Sequence, residues 1–318
     1  MIRSEEQFID FISKNYESIN KIPSQWLGVG DDAAIFKINS EELIFCADAV
    51  VENIHFRSSN DFFDVGWKAI VSNQSDLAAM GGYPIAFTVT LGINKNTSEE
   101  QLIKLYKGMD SACKNYGGKL LGGDIVKSET LFISVSAIGR NFINKKTMRR
   151  SNAKLNDVVA VTGEIGNSIA GLEMVDENKN ISNKQTEKFL KPIPRFKESK
   201  LAIESGIICA MDLSDGLEKD LKRISKSSNV EIEVEFEKIK YDDSIKAYFG
   251  NDFEDKIITS GEEYELILIG PASKIKSLNE KIDLSIIGKV TGDTVSRVNF
   301  YKNGKKLNIT SESFDHFG

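Results

Sequence analysis

DVGWKAIVSNQSDLAAMGGYPIAFTVTLGI, residues 64–93, changes period part-way along. Its first portion, Asp64 to Met80, repeats apolar residues at helical spacing, and its last, Ala86 to Ile93, reads as a strand. The same exchange continues outward. Glu42 to Asp48 and Leu131 to Ile138 read as strands. Ser98 to Tyr116 reads as a helix, opened by a capping-box pair, Ser98 and Gln101, and ended by Gly117. Its apolar stripe is expected to be Leu102, Tyr106, Met109 and Cys113. Alternating helix and strand periods predict an α/β (α+β) protein with mixed sheets.

Near Asn144 to Asn156 the chain turns polar and basic, with Lys145, Lys146, Arg149 and Arg150 close together. This marks the expected boundary between residues 1–145 and 146–318, two domains of ordinary size. The second half repeats the mixed pattern. A strand is expected at Val158 to Gly163, a helix from Asn167, a strand from Ile207 to Met211, and a helix from about Asp215. Val230 to Glu237 alternates apolar and acidic residues, as a strand with one wet face does.

The 318 residues are 41% apolar and 28% charged, with a net charge of -6. That balance suits a globular core and argues against nucleic-acid binding, which favours a basic surface. Cys46, Cys113 and Cys209 are far apart, with no C-x-x-C, so neither a disulfide framework nor a zinc site is suggested. The first twenty residues are polar and acidic, unlike a signal peptide. No run approaches the ~18 apolar residues of a membrane span. A cytoplasmic protein with no membrane or nucleic-acid partner is expected.

Chemistry is suggested by aspartates that close apolar or small-residue runs. They lie in Gly28-Val29-Gly30-Asp31-Asp32, at Asp48 after Leu43 to Ala47, at Asp76, in Gly122-Gly123-Asp124, and in Met211-Asp212-Leu213-Ser214-Asp215-Gly216. Carboxylates at strand ends beside glycines suit hard cations and the approach of a phosphate. Any single one could equally be a cap or turn residue; five such segments favour a shared metal cluster. The chain has no G-x-x-x-x-G-K-[ST], no dinucleotide fingerprint, no H-R-D and no D-F-G. A nucleotide site here must therefore be of another type.

In order, the segments GVGDDAAIF, Asp48 to Phe56, SDLAAMGG, LLGGD, VTGEIGNSIAGL, PIPR, AMDLSDGLEKDL, SGEEYEL and the closing Phe314-Asp315-His316-Phe317 resemble the thiamine-monophosphate kinase family. That family lies within the superfamily of aminoimidazole-ribonucleotide and selenophosphate synthetases. The resemblance implies an N-terminal mixed sheet that forms a barrel with its twin in a homodimer, a C-terminal α/β domain, and clefts shared between subunits. It implies Mg2+-dependent transfer of the γ-phosphoryl group of ATP to thiamine monophosphate.

By position, Asp31, Asp48, Asp76, Asp124, Asp212 and Asp215 would hold magnesium, with Asp31, Asp48, Asp76 and Asp215 at the catalytic centre. Tyr106, Gly123, Asp124, Arg150 and Ser214 would meet ATP. His55, Glu262 and Phe314 would meet thiamine monophosphate. Two departures stand out. Cys46 and Ala47 replace hydroxyl residues ahead of Asp48, leaving backbone carbonyls as possible metal ligands there, and Glu263 replaces an aspartate. The first departure also suits an alternative, a nucleotide- or thiamine-phosphate-binding paralogue with weak or altered activity. Residue by residue, His55 could be a packed loop histidine, Phe314 a C-terminal anchor, Tyr106 a core residue and Arg149–Arg150 a solvated linker face. Asp32 and Asp220 are expected to be structural.

Overall fold

The computed structural model describes residues 5–39, 41–144, 146–177 and 184–311. Strands β1 (Ala34–Ile38), β2 (Glu41–Val51), β3 (Gly82–Ile93), β4 (Lys119–Lys127) and β5 (Phe132–Asn141) form one sheet in the order β1-β2-β5-β3-β4. All its pairings are antiparallel except β3 with β4. Preceding it are two short helices, α1 (Glu5–Asn15) and α2 (Glu17–Asn20). Inserted in it are α3 (Phe62–Ala79) and α4 (Glu99–Tyr116).

Period-2 alternation puts Ile44, Cys46 and Val50 of β2 beneath α3, with Ile133, Val135 and Ala137 of β5 in the same core. The two long helices meet at backbone distance. A Cβ on Gly66 would lie 2.0 Å from the Leu105 carbonyl oxygen, and one on Gly108 would lie 1.9 Å from that of Phe63. Only glycine allows that approach.

The second sheet contains β6 (Val158–Thr162), β7 (Cys209–Leu213), β8 (Glu231–Glu235), β9 (Glu265–Gly270), β10 (Leu284–Gly292), β11 (Arg297–Lys302) and β12 (Lys305–Lys306), in the order β12-β11-β8-β10-β6-β9-β7. Helices α5 (Asn167–Asp176), α6 (Lys184–Leu190), α7 (Phe196–Glu204), α8 (Leu217–Ser228), α9 (Asp243–Phe249), α10 (Phe253–Thr259) and α11 (Ala272–Asn279) accompany it. Ile267 and Ile269 of β9 enter a core with α8 and α10, while Leu266 and Leu268 enter another with α7 and α11. Burial on both faces explains why β6, β7 and β9 read as continuous apolar runs.

Several local expectations shift. The capping box of α4 is present, with both reciprocal hydrogen bonds at 2.8 and 3.2 Å. Its buried face, however, is Leu105, Gly108, Met109, Ala112 and Cys113, and Tyr106 is 38% exposed, so Tyr106 is not a core residue. Asp48 stands in the interior of β2 rather than at its end, because pairing with β5 continues to Val51. Asp76 lies within α3 and Asp124 within β4, so neither ends a strand. β7 begins and ends two residues later than expected, and so contains Asp212. β8 stops at Glu235, where buried Phe236 turns the chain into a 3-10 helix.

The basic stretch between the sheets is pinned rather than solvated. The Met148 amide donates to the Met80 carbonyl (3.1 Å) and the Arg149 amide to that of Ile208 (2.9 Å), which ties the connection to both halves. Lys145 falls outside the described residues. Helix α3 is fastened across the same junction, with Trp67 Nε1 donating to the Pro192 carbonyl (2.8 Å) and Ser199 Oγ to that of Ala78 (2.6 Å).

Candidate active site

A cavity of about 1380 Å3 opens between the two halves. Helix α3 runs along it. That helix is buried on almost all sides, yet it carries Lys68, Ser72, Ser75 and Asp76, spaced by four, three and one residues and hence on one face. Three of the four find a partner beyond the helix. Lys68 pairs with Glu262 at 3.0 Å, Ser72 hydrogen-bonds Asp48, and Ser75 Oγ donates to Asp212 Oδ2 at 2.8 Å.

Carboxylates crowd at one end of the cavity. Oxygen atoms of Asp32, Asp76 and Asp212 lie within 4.8 Å of one another. Burial, then repulsion from Asp48, Asp212 and Asp32, pushes Asp76 well above the usual carboxylate range. Burial and Asp32 do the same to Asp212, and burial raises Asp48. Asp31 rises to about 6 through burial and Asp32, although the Arg150 and Asp32 amides donate to it at 3.2 and 3.3 Å. The guanidinium in closest contact is that of Arg150, paired with Asp32 Oδ1, while Arg149 Nε lies 3.8 Å from Asp31 Oδ2. Asp32 Oδ2 is buried without a hydrogen-bond partner.

Asp215 differs. Burial pushes it up, but Arg223 at 2.6 Å and Lys219 at 3.1 Å bring it below the usual range. Asp220 accepts from the amides of Ser214 and Asp215 (3.0 Å each) and from Arg223 (2.9 Å), shaping that loop from beneath.

The Ser260–Glu265 loop borders the other end. The Glu262 amide donates to the Ser214 carbonyl at 2.7 Å and the Tyr264 amide to that of Leu213 at 2.8 Å. Glu263 turns away from the cavity and accepts from the Gly166 and Ser168 amides at 2.7 and 3.1 Å, capping α5. Burial raises it to about 6. Glu265, whose burial is outweighed by Lys188 and Arg195, lies below the usual range and also accepts from Thr162. The His55 ring accepts from the Val51 amide through Nδ1 at 3.1 Å, which leaves the neutral ring's proton on Nε2.

Compared with known proteins, the chain is 33% identical over 279 residues to the thiamine-monophosphate kinase of Pyrococcus abyssi, covering 88% of this chain and 87% of that one. It is 33% identical over 317 residues to that of Bacillus subtilis, with 92% and 93% covered. The chain belongs to the thiamine-monophosphate kinase family. Residues 30–141 match the AIR synthase related protein N-terminal domain, and residues 154–300 match the C-terminal domain. The structure of AaThiL complexed with AMPPCP and TMP superposes with a TM-score of 0.86 at 29% identity, covering 99% of this chain and 97% of that one.

Of the residues that the family resemblance singled out, Asp31, Cys46, Ala47, Asp48, His55, Asp76, Arg150, Asp212, Ser214, Asp215 and Glu262 line the cavity. Tyr106, Gly123 and Asp124 do not. Tyr106 is half exposed on α4, and the other two sit on β4, an exposed edge strand. Phe314 lies outside the described residues.

Asp32, expected to be structural, belongs to the closest acid cluster instead, while Asp31 faces backbone amides. Cys46 is buried under α3, its thiol 3.7 Å from Asn73 and raised well above its usual pKa by burial and Asp76. Ala47 faces the opposite, exposed side. Sequence reasoning missed Lys68, Ser72, Ser75 and Tyr264. The signal that could have found the first three is a polar stripe at helical spacing in a helix otherwise apolar.

Proposed function

We propose that the chain transfers the γ-phosphoryl group of ATP directly to the phosphate of thiamine monophosphate, giving thiamine diphosphate and ADP, with Mg2+ required. The names of its relatives and the AMPPCP and TMP bound by AaThiL support the substrates. The observation that carries the reading is the close set of Asp32, Asp76 and Asp212 in a cavity that also holds Glu262 and Arg150.

The residues fit a hard cation. Every donor is a carboxylate oxygen, Asp32 Oδ2 has no other partner, and repulsion among these groups is relieved by positive charge. Asp32, Asp76 and Asp212 would hold the ion, with Asp48 beside them. Bound there, Mg2+ would offset the charge on phosphate oxygens that must approach one another.

The chain's own residues supply position. Arg150, fixed by Asp32, brings a guanidinium suited to a phosphate oxygen. Asp220 holds the Ser214–Asp215 loop, through both of its amides, in the cavity wall. A phosphate monoester loses its second proton near a pKa of about 6, so the acceptor is already nucleophilic and no general base is needed. His55 and Glu262 stand where they can meet the rest of the acceptor.

The same reading makes the chain a cytoplasmic homodimer. No helix among the described residues is long and apolar enough to cross a membrane, and all three cysteines are free. Leu121 and Ile125 on β4 are 72% and 60% exposed, apolar surface that a second copy would cover. Pairing the first sheets of two copies would let Tyr106, Gly123 and Asp124 of one subunit serve the other's nucleotide. Residues 1–145 then form the dimerising, nucleotide- and metal-binding domain, and 146–318 the α/β domain.

The test is product formation from ATP, Mg2+ and thiamine monophosphate. Thiamine diphosphate made by the native chain supports the reading. ATP binding by folded protein without product would favour the paralogue that only binds.

A further inference from the structure

Lys68 has no place in the phosphoryl-transfer chemistry, yet it is one of the most deeply buried cations among the described residues, with its side chain 5% exposed. Its ammonium lies 3.0 Å from Glu262 Oε2 and 3.5 Å above the centre of the Phe189 ring. Both contacts line the cavity, whereas Lys68 stands behind them on α3. The Lys68–Glu262 pair is thus built into the wall, and its cation is further fixed by the aromatic face.

The Glu262 backbone is equally constrained. It takes a left-handed conformation, φ 54°, and Tyr264 does the same at φ 51°. Non-glycine residues persist there only when their surroundings hold them, and such strain collects at ligand-binding positions. Here the surroundings are the hydrogen bonds that the Glu262 and Tyr264 amides donate to the Ser214 and Leu213 carbonyls, and the ion pair to α3. One carboxylate oxygen is therefore committed to Lys68. The other, Oε1, accepts only a long hydrogen bond from the Tyr264 hydroxyl at 3.5 Å, which leaves it able to accept a shorter one.

Charge identifies what that oxygen can receive. The pair is neutral overall, so this wall has no surplus negative charge for a cationic ring. It offers a fixed acceptor instead, which suits an N–H donor on a neutral heterocycle. Thiamine monophosphate carries one such ring, a pyrimidine with an exocyclic amino group, and one cationic thiazolium.

We propose that Lys68 is a positioning residue that fixes Glu262 Oε1 as the acceptor for the exocyclic amino group of the substrate, and thereby selects acceptors that carry that group. The inference rests on the proposed function, and its experiment separates the two.

Steady-state kinetics are compared for thiamine monophosphate and for its analogue with an oxo group in place of the amino group, using the native chain, K68M and K68R. The native chain should prefer the amino substrate by ~100-fold or more in kcat/KM. K68M should raise KM for that substrate ~10-fold or more, leave kcat within about threefold and lose most of the preference. K68R, which keeps the charge, should restore part of it.

An unchanged KM and preference in K68M overturns the inference alone. So does an equal fall in kcat for both acceptors, which would place Lys68 in a structural or phosphate-binding role. If K68M does not fold, F189L replaces it, removing the ring beneath the ammonium while keeping the ion pair. A fall in preference of about threefold or more is then expected, and no change overturns the proposal. If the native chain makes no thiamine diphosphate, the functional reading fails first and this inference falls with it.

Discussion

At one end of the cavity Asp32, Asp76 and Asp212 share a space less than 5 Å across, with Arg150 as the one cation paired with them among the described residues. Behind the other end, Glu265 is equally buried but meets Lys188 at 2.5 Å, Arg195 and the Thr162 hydroxyl. Similar groups at similar depth are thus driven in opposite directions, Asp76 and Asp212 upward and Glu265 downward. The difference teaches how to separate sites from scaffolding. Where each buried carboxylate has its own cation, the charge is already neutralised and the group holds the fold. Where carboxylates outnumber cations, the fold leaves a demand for positive charge that a ligand can meet.

The largest effect should come from breaking the compensated end. Glu265→Gln leaves Lys188 and Arg195 buried against a neutral amide, and should cost about 3–5 kcal/mol in denaturant unfolding. If it is tolerated with no loss, that network is not holding the second sheet as described. Asp76→Asn should act in the opposite sense on stability. It removes one of several repelling charges, so the ion-free protein should melt higher, while product formation falls by ~100-fold or more. A variant that melts lower and keeps its activity would erase the contrast.

The pH dependence sharpens it. An acid whose folded pKa is raised holds its proton longer in the folded state, so its contribution falls as pH rises from the unfolded value toward the folded one. For Asp31 that window runs from 3.8 to about 6. Glu265 is the reverse, because its pKa is lowered, and its contribution is lost as pH falls below its ordinary 4.5. The rise in melting temperature on adding Mg2+ should therefore be several degrees greater at pH 8 than at pH 5, since protons must leave the acid cluster before an ion binds. An equal rise at both values would place the ion elsewhere.

The smallest effect belongs outside both ends. Ser98→Ala removes the exposed cap of α4 and should cost about 1 kcal/mol without altering activity or its Mg2+ dependence. A change in either would mean that α4, and with it Tyr106, acts on the site more directly than one chain's cavity shows.

Sequence by itself determined the alternation of helix and strand over residues 64–93, the helix of Ser98 to Tyr116 with its capping box of Ser98 and Gln101, the acid-bearing segments and the family, because each is written in neighbouring residues or in their order. It did not determine which acid of Asp31–Asp32 enters the cluster. That follows from how the segment meets Arg150 across the junction, more than a hundred residues away. Nor did it show that Asp48 sits mid-strand, since the end of β2 is set by its pairing with β5. Lys68 was hidden for a similar reason: a lysine in a helix ordinarily faces water, and only the packing of α3 against the second half buries it beside Glu262. Tertiary structure alone also put Gly123 and Asp124 on an exposed edge strand, since among the described residues β4 pairs with β3 and with no other strand. Local pattern fixes what a segment is. Contacts between distant segments fix which side chains share a site and how their charges are balanced.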